Sequence, residues 1–441
     1  MNRLGRPNRK LIRLCRSHSL RQKAPAPISA VQRCRYSSSV SNGSLLGAAS
    51  IDIEAIRAEM LARPPQIHSD MMSSINSHQL TTALSEFLPE ECYANQQISF
   101  GELYRPEVFA HGRRLVPPGH HFVYFPLQRR GSSLCPDGTD PYHAPRDTPF
   151  TRRMWAGGSI QGFRGLAMGE GHALCLERIV DVNVLGSAGA EKIFVEVLRE
   201  YVDLENFKAI FGLREVTLKP QSDPPEHNLT TTARPRDPRE YDIKGITERR
   251  TLVFMREPSD EEKKMSLEQE QRIFKAQTKM DYSVTLTPTP TLLFHYSALT
   301  YNAHRIHLDR SYCREVEGHR DLIVHGPLSL TLMLSVLQSR LDTEGCEFID
   351  NIDYRHLAPL YVRQPMRVCL KLKKESRAKK KNISDEEQSC RAGENEQSDD
   401  KIEVGRNRWD LWVENQDGSL CVRGTAETVK PRPDTDTHEL K

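Results

Sequence analysis

The sequence lacks several features that would place it in other classes of protein. Its 441 residues contain no apolar run of about 18 residues, so no transmembrane span is predicted. The 10 cysteines are scattered without a Cys-x-x-Cys pair, which argues against a disulfide scaffold and a structural zinc site and fits a reducing compartment. The length leaves room for two or three domains.

Acidic residues are absent from the first 51 positions. Ten Lys and Arg residues lie within residues 1–35, which is the composition of a mitochondrial transit peptide, and cleavage is predicted after Tyr36. Without residues 1–36 the chain keeps 52 of its 62 basic residues and all 59 acidic ones, a formal charge of −7. The negative charge of the chain after residue 36 argues against a nucleic-acid partner. The composition of residues 1–36 predicts a location in the mitochondrial matrix. A basic tail that binds nucleic acid is the alternative for residues 1–36.

The spacing of apolar residues predicts two strand-rich halves. Residues 51–95 are expected to be helical, and Phe122–Leu127 is expected to be a strand. The charged segment 258–279 is a predicted linker. A second helix is predicted at Leu328–Arg340, where apolar residues cover nearly all sides, so it should be buried. Residues 376–401 hold a Lys run and then an acidic stretch, and we expect a disordered insertion.

The chemistry-bearing segment lies in the second half. Asn302, His304, His307 and Asp309 fall within eight residues, and a His-Gly pair follows at 325–326. Burying so many polar groups for stability alone would be costly, so the pattern predicts a site. A metal site is one alternative, but two His residues without Cys or Glu in register are a weak signal. We therefore predict no metal and no other cofactor.

Acid–base chemistry accounts better for this segment. A neutral His can take a proton from a carbon next to a carbonyl group and return it elsewhere. The backbone N–H groups at the start of a buried helix after Gly326 would stabilise the negative charge that develops on the carbonyl oxygen. The residues therefore favour hydration or dehydration beside an acyl thioester.

The same residues resemble a known family. Residues 302–309 (Asn-x-His-Arg-x-His-x-Asp) with Val-His-Gly at 324–326 resemble the MaoC-type (R)-specific enoyl hydratases, whose motif runs Asp-x-Asn-Pro-x-His-x-Asp. The sequence of residues 297–307 resembles the fungal mitochondrial type 2 3-hydroxyacyl-thioester dehydratases more than the MaoC-type hydratases. It also resembles the mesaconyl-C4-CoA hydratase group. Residues 354–361 and 152–158 resemble further parts of the two-domain members.

The resemblance implies an α+β fold, a double hot-dog with two antiparallel sheets, each wrapped around a central helix. It implies a noncatalytic N-terminal hot-dog domain at 55–257 and a catalytic one at 280–432. The substrate would be an acyl-CoA or acyl-carrier-protein thioester, and the protein would be a monomer or a homodimer.

Site residues are carried over by position. His307 falls on the catalytic His, Asn302 falls where the family keeps a catalytic Asp, and His304 falls on its Asn. Gly326 falls on the glycine near the thioester oxygen, and we place His304, His325 and Gly326 among the substrate-binding residues. Because an amide cannot accept a proton as a carboxylate does, either His307 works alone or Asp309 shares the acid–base work.

Three functions are compatible with this pattern. The first is a hydro-lyase that dehydrates (R)-3-hydroxyacyl thioesters to trans-2-enoyl thioesters in mitochondrial type II fatty acid synthesis. The second is a hydratase of mesaconyl-CoA-type dicarboxylyl-CoA, in which Arg152, Arg153 or Arg305 would hold the second carboxylate. The third is a noncatalytic double hot-dog protein that binds acyl thioesters.

Overall fold

The computed structural model describes residues 52–93, 114–169, 171–187, 189–204, 206–207, 245–268, 275, 279–344, 347–373 and 406–430. The predicted transit peptide at 1–36 and the predicted insertion at 376–401 lie outside these residues. The helices are α1 (Ile53–Leu61), α2 (Ser74–Ser85), α3 (Asp260–Glu268), α4 (Pro290–Leu299), α5 (Arg310–Glu315) and α6 (Gly326–Glu344). The strands are β1 (Gln66–Met71), β2 (Arg114–Leu115), β3 (Arg152–Gln161), β4 (Ala167–Met168), β5 (His172–Leu185), β6 (Lys192–Asp203), β7 (Ile246–Met255), β8 (Tyr282–Leu286), β9 (Phe348–His356), β10 (Met366–Lys373), β11 (Arg406–Asn415) and β12 (Leu420–Val429).

Ten strands form one antiparallel sheet in the order β1-β5-β6-β7-β3-β9-β12-β11-β10-β8. Five of them come from each half of the chain, and β3 pairs with β9 where the halves meet, with Ile160 opposite Ile352. The α+β hot-dog prediction is confirmed, with one difference. The two expected sheets are joined edge to edge, so the backbone groups of β3 and β9 satisfy one another.

Helix α6 is the central helix of the C-terminal half. It contacts β9, β10 and β11. Its apolar side chains are fully buried on all sides, as the sequence predicts, and they include Leu328, Leu332 and Leu337. Burial of each such Leu contributes roughly 1.5–3 kcal/mol. The same core continues into the N-terminal half through Leu80 and Tyr201, so the two halves share one hydrophobic core.

Two local predictions are wrong. Residues 51–95 are not one helical region, because β1 lies between α1 and α2. Pro64 and Pro65 follow α1, and proline stops a helix and favours extended backbone. Phe122–Leu127 is not a strand: it begins inside the 3₁₀ turn His120–Val123, and Phe125 has a positive φ of 57° that breaks the extended path.

The charged segment 258–279 contains α3, which lies between β7 and β8. The domain limits predicted at 55–257, 258–279 and 280–432 stay predictions. Among the described helices, none is both long and apolar enough to cross a bilayer.

Candidate active site

The segment that carries the chemistry begins where α4 ends. Helix α4 runs through Leu299, three residues before Asn302. The helix closes with a bond from the Asn302 N–H to the Ser297 carbonyl at 2.8 Å, while Tyr301 takes a left-handed φ of 52°. His307 then ends a 3₁₀ turn that begins at Arg305. The chain therefore changes direction just before the predicted site.

His307 is fixed by one of its two ring nitrogens. Nδ1 donates to the carbonyl of Ile323 at 2.7 Å, which leaves Nε2 without a proton and available as a base. The pKa of His307 is lowered to about 4, chiefly by burial; the bond to the Ile323 carbonyl raises it in part, and nearby Arg153 lowers it. His307 is therefore neutral at pH 7 and lines the large cavity described below.

His325 lies behind His307 and not in the cavity wall. The two rings stack with centroids 3.7 Å apart and an interplanar angle of 22°. Its Nε2 is 2.8 Å from the Ser297 hydroxyl, and the side chain is fully buried. Burial, and then the neighbouring His307 and His304, hold the pKa of His325 well below its usual range. The His325 ring therefore packs against the His307 ring, and its predicted contact with substrate stays a prediction.

Gly326 begins α6 and lines the same cavity as His307. The first N–H groups of a helix have no acceptor within it, and they carry partial positive charge. A side chain here would obstruct the approach, since an added Cβ would lie 3.2 Å from His356 Nε2. The arrangement offers backbone donors to an anionic oxygen beside the basic nitrogen of His307.

Asn302 and His304 complete the cavity wall on the side of the turn. The Asn302 side-chain oxygen accepts from the His304 N–H at 3.0 Å, which leaves its NH₂ group for a ligand. His304 meets His307 edge to face, with ring centroids 5.4 Å apart. Burial, then His307 and Arg153, hold the pKa of His304 well below its usual range. Both histidines are therefore neutral at pH 7.

Asp309 is not brought to the cavity. Its carboxylate caps α5 by accepting from the Tyr312 N–H at 3.0 Å, and it pairs with Arg305 at 2.7 Å. These contacts lower its pKa, the helix cap first and the Arg305 bond second. The carboxylate is about a third exposed and lies outside the cavity wall, which counts against a shared acid–base role.

The cavity has a volume of about 770 Å³ and lies between the two halves. Its wall is mainly apolar, with Phe122, Trp155 and Leu252 from the N-terminal half. No site role was predicted for His356, although it lines the cavity from β9 within a stretch that carries the family resemblance. No role was predicted for the loop that precedes β3 either, because only folding brings that loop to His304.

One trio of metal-binding residue types occurs among the described residues. Ligand atoms of Asp140, His143 and Glu177 lie within 4.8 Å of one another. Glu177 already pairs with His143 at 3.0 Å and with Arg199 at 2.9 Å, and Asp140 pairs with Arg129 at 3.1 Å. The arginines supply the positive charge there, so this trio fits a cation poorly.

Comparison with known proteins decides the family. The model of a family described as hydroxyacyl-thioester dehydratase type 2 matches residues 119–245 and 229–362, more than half of the chain. The chain belongs to this family. Like the members of this family, it is a hydro-lyase whose reaction is the dehydration of a hydroxyacyl thioester.

The chain is also similar to individual proteins. The mitochondrial hydroxyacyl-thioester dehydratase type 2 of Schizosaccharomyces pombe is 26% identical over 258 residues, which cover 58% of this chain and 77% of that protein. Mesaconyl-C(4)-CoA hydratase of Chloroflexus aurantiacus is 42% identical over 84 residues, 19% of this chain and 29% of that one. A MaoC-like dehydratase structure from Phytophthora capsici aligns with a TM-score of 0.48 and 11% identity, covering 86% of this chain and 99% of the other. A mitochondrial relative supports a mitochondrial location for this dehydratase.

Proposed function

We propose that this hydroxyacyl-thioester dehydratase removes water from (R)-3-hydroxyacyl thioesters to give trans-2-enoyl thioesters, with His307 as the base. The observation that carries the proposal is the pairing of His307 and Gly326. A neutral imidazole with its Nε2 lone pair free and the open N-terminus of α6 line one cavity. Base and oxyanion donors on adjacent walls suit abstraction of a proton beside a thioester carbonyl.

The reaction proceeds in two proton transfers. Nε2 of His307 takes the proton from C2, and the electron pair of that bond moves onto the thioester oxygen, which the backbone N–H groups at Gly326 stabilise. The enolate then re-forms the carbonyl, the C2–C3 double bond forms, and the C3–O bond breaks. The proton on His307 goes to the departing hydroxyl, which leaves as water and returns the imidazole to its neutral form.

Asn302 positions the leaving hydroxyl in this scheme, since the bond from the His304 N–H engages only its side-chain oxygen and the residue lines the cavity. The apolar wall of the cavity would take the acyl chain. We place the reaction in the mitochondrial matrix, within fatty acid synthesis, on a CoA or acyl-carrier-protein thioester. The two halves of the sheet would be two hot-dog domains, noncatalytic and then catalytic, in a monomer or a homodimer.

Dicarboxylyl-CoA hydration is a second candidate, favoured by one arginine. Of the three arginines considered from the sequence, Arg152 bonds Glu317 at 2.5 Å, and Arg305 pairs with Asp309. Only Arg153 lines the cavity, and its buried Nη1 has no hydrogen-bond partner among the described residues. This guanidinium could hold a second carboxylate of the substrate.

Turnover separates these functions. The chain from Ser37 onward, purified, should hydrate crotonyl-CoA, with loss of enoyl absorbance. Medium-chain enoyl thioesters and mesaconyl-CoA would be compared at equal concentration. A higher kcat/KM with medium-chain thioesters supports the dehydration of fatty acyl thioesters. A higher kcat/KM with mesaconyl-CoA refutes it in favour of dicarboxylyl-CoA hydration. Tight binding of these thioesters without turnover would leave only the acyl-binding protein.

A further inference from the structure

The loop that precedes β3 contains Asp137 and Gly138 and packs against the segment 302–307, which carries the proposed catalytic residues. The Arg305 N–H donates to the Asp137 carbonyl at 2.8 Å. Gly138 packs against the chain at Ala303 so closely that an added Cβ would lie 2.1 Å from the Ala303 oxygen. The N-terminal half therefore supplies one wall of the turn that presents His304 and His307.

This loop brings a buried carboxylate to His304. Oδ2 of Asp137 lies 3.5 Å from Nε2 of His304, and both residues are at least nine-tenths buried. The other oxygen, Oδ1, accepts from the Thr139 N–H at 2.9 Å and from the Thr139 hydroxyl at 2.6 Å. These two donors fix the rotation of the carboxylate, so Oδ2 is the oxygen that faces the imidazole.

The contact with Asp137 decides which ring nitrogen of neutral His304 carries the hydrogen. A carboxylate is an acceptor, so it favours the tautomer with hydrogen on Nε2. Nδ1 then keeps a lone pair. Nε2 of His304 makes no hydrogen bond to the described residues, and Oδ2 of Asp137 faces it at 3.5 Å. With the hydrogen on Nε2, Nδ1 is the nitrogen that remains for a ligand in the cavity that His304 lines.

We propose that Asp137 is a positioning residue of the dehydratase that acts through His304. Its Oδ2 accepts the Nε2–H of His304, and Nδ1 of His304 accepts a hydrogen bond from the 3-hydroxyl of the substrate or from the water that replaces it. The same carboxylate stabilises the positive charge that appears on His307, whose ring meets His304 edge to face. The inference rests on the proposed function, and it makes the N-terminal half part of the site.

Asp309 does not serve this purpose, although it lies in the same segment. Its carboxylate is committed to the cap of α5 and to Arg305. It therefore provides a matched control. Asp309→Asn makes the same chemical change as Asp137→Asn, and Asn caps a helix as well as Asp does.

Asp137→Asn tests the proposal with little change of shape. The two Thr139 donors would hold the amide oxygen in the place of Oδ1, so an NH₂ group would face His304. We expect kcat for crotonyl-CoA hydration to fall by roughly 10- to 100-fold, as for loss of part of an acid–base contribution, with KM within about threefold. Asp309→Asn should keep kcat within about threefold.

A double-mutant cycle and a spectrum distinguish positioning from a purely structural role. Asp137→Asn should add no further loss of kcat to His304→Gln, because its effect passes through that ring. In ¹⁵N spectra without substrate, His304 should carry its proton on Nε2 in the wild type and on Nδ1 in Asp137→Asn, with His304→Gln used to assign the signals.

Independent, multiplying losses of kcat in the cycle would overturn the proposal, and so would an unchanged tautomer. A wild type that turned over none of the thioesters would refute the proposed function. The ¹⁵N spectrum would still decide whether Asp137 sets the proton of His304.

Discussion

Gly138→Ala is the substitution that most directly probes how the two halves build one site. Gly138 has a left-handed φ of 85°, and an ideal Cβ would lie 2.1 Å from the Ala303 oxygen and 2.8 Å from its carbonyl carbon. Both contacts are to backbone, so no side chain can rotate away. Ala303 stands between Asn302 and His304, and any adjustment moves the proposed catalytic wall.

The geometry gives the size of the effect. Carbon and oxygen approach to about 3.3 Å even in close C–H···O contacts, so the two chains must separate by roughly 1 Å. A displacement of about 1 Å at a reacting group costs on the order of 100-fold in rate. The left-handed backbone adds about 1–2 kcal/mol of strain for a residue with a Cβ. We expect kcat/KM to fall roughly 100-fold and the free energy of unfolding to fall by about 2–4 kcal/mol.

Gly131→Ala is the control, because an added Cβ there meets nothing within 4 Å and the residue lies in the same loop. Crotonyl-CoA hydration and urea unfolding would be measured for both variants. Gly131 also lines the cavity, but its added methyl group meets no atom, so Gly131→Ala should change the unfolding free energy by less than about 0.5 kcal/mol and keep kcat/KM within about threefold. If Gly138→Ala matched this control in kcat/KM, the packing of the loop on Ala303 would have no catalytic consequence.

Acid should destabilise the fold through its buried neutral histidines. Burial is the first cause in each case, and it lowers the pKa of His120 to about 3 and those of His121, His307 and His356 to about 4. Because the folded pKa lies below the unfolded value near 6.5, the stabilisation is present above pH 6.5 and is lost as pH falls toward 4, by about 2 kcal/mol per group at pH 5. An unfolding free energy that urea titration finds equal at pH 7.5 and pH 5 would contradict this. Gly326→Ala should lower kcat by roughly 10-fold, because its Cβ would crowd His356 and shift the first N–H groups of α6; an unchanged kcat would remove the thioester oxygen from this helix end.

Much of the fold follows from local pattern. The apolar run after Gly326 predicts a buried helix because leucines cover every side, and α6 is that helix. The turn around residues 119–125 was harder to predict. Phe122–Leu127 has the composition of a strand, yet Gly119 and Phe125 take positive φ values around the 3₁₀ turn there. The joining of two sheets at β3 and β9 depends on long-range pairing that no local pattern carries.

The part of the candidate site that could be predicted is the part whose residues lie close together in the sequence. His307 and Gly326 line the cavity as their spacing suggested, since the turn and the helix N-terminus are local features. Asp309 has the right chemistry, but the start of α5 uses its carboxylate as a cap. Asp137 lies 167 positions before His304 in the chain, and only tertiary packing brings the two side chains together.

The rate of His307→Asn tests the central claim most directly. The asparagine amide can take the place of Nδ1 and donate to the Ile323 carbonyl, so the turn is retained while the basic Nε2 is lost. With crotonyl-CoA, kcat should fall by at least about 1,000-fold while the thermal midpoint stays within a few degrees. A variant that kept kcat within about tenfold of the wild type would show that His307 is not the base.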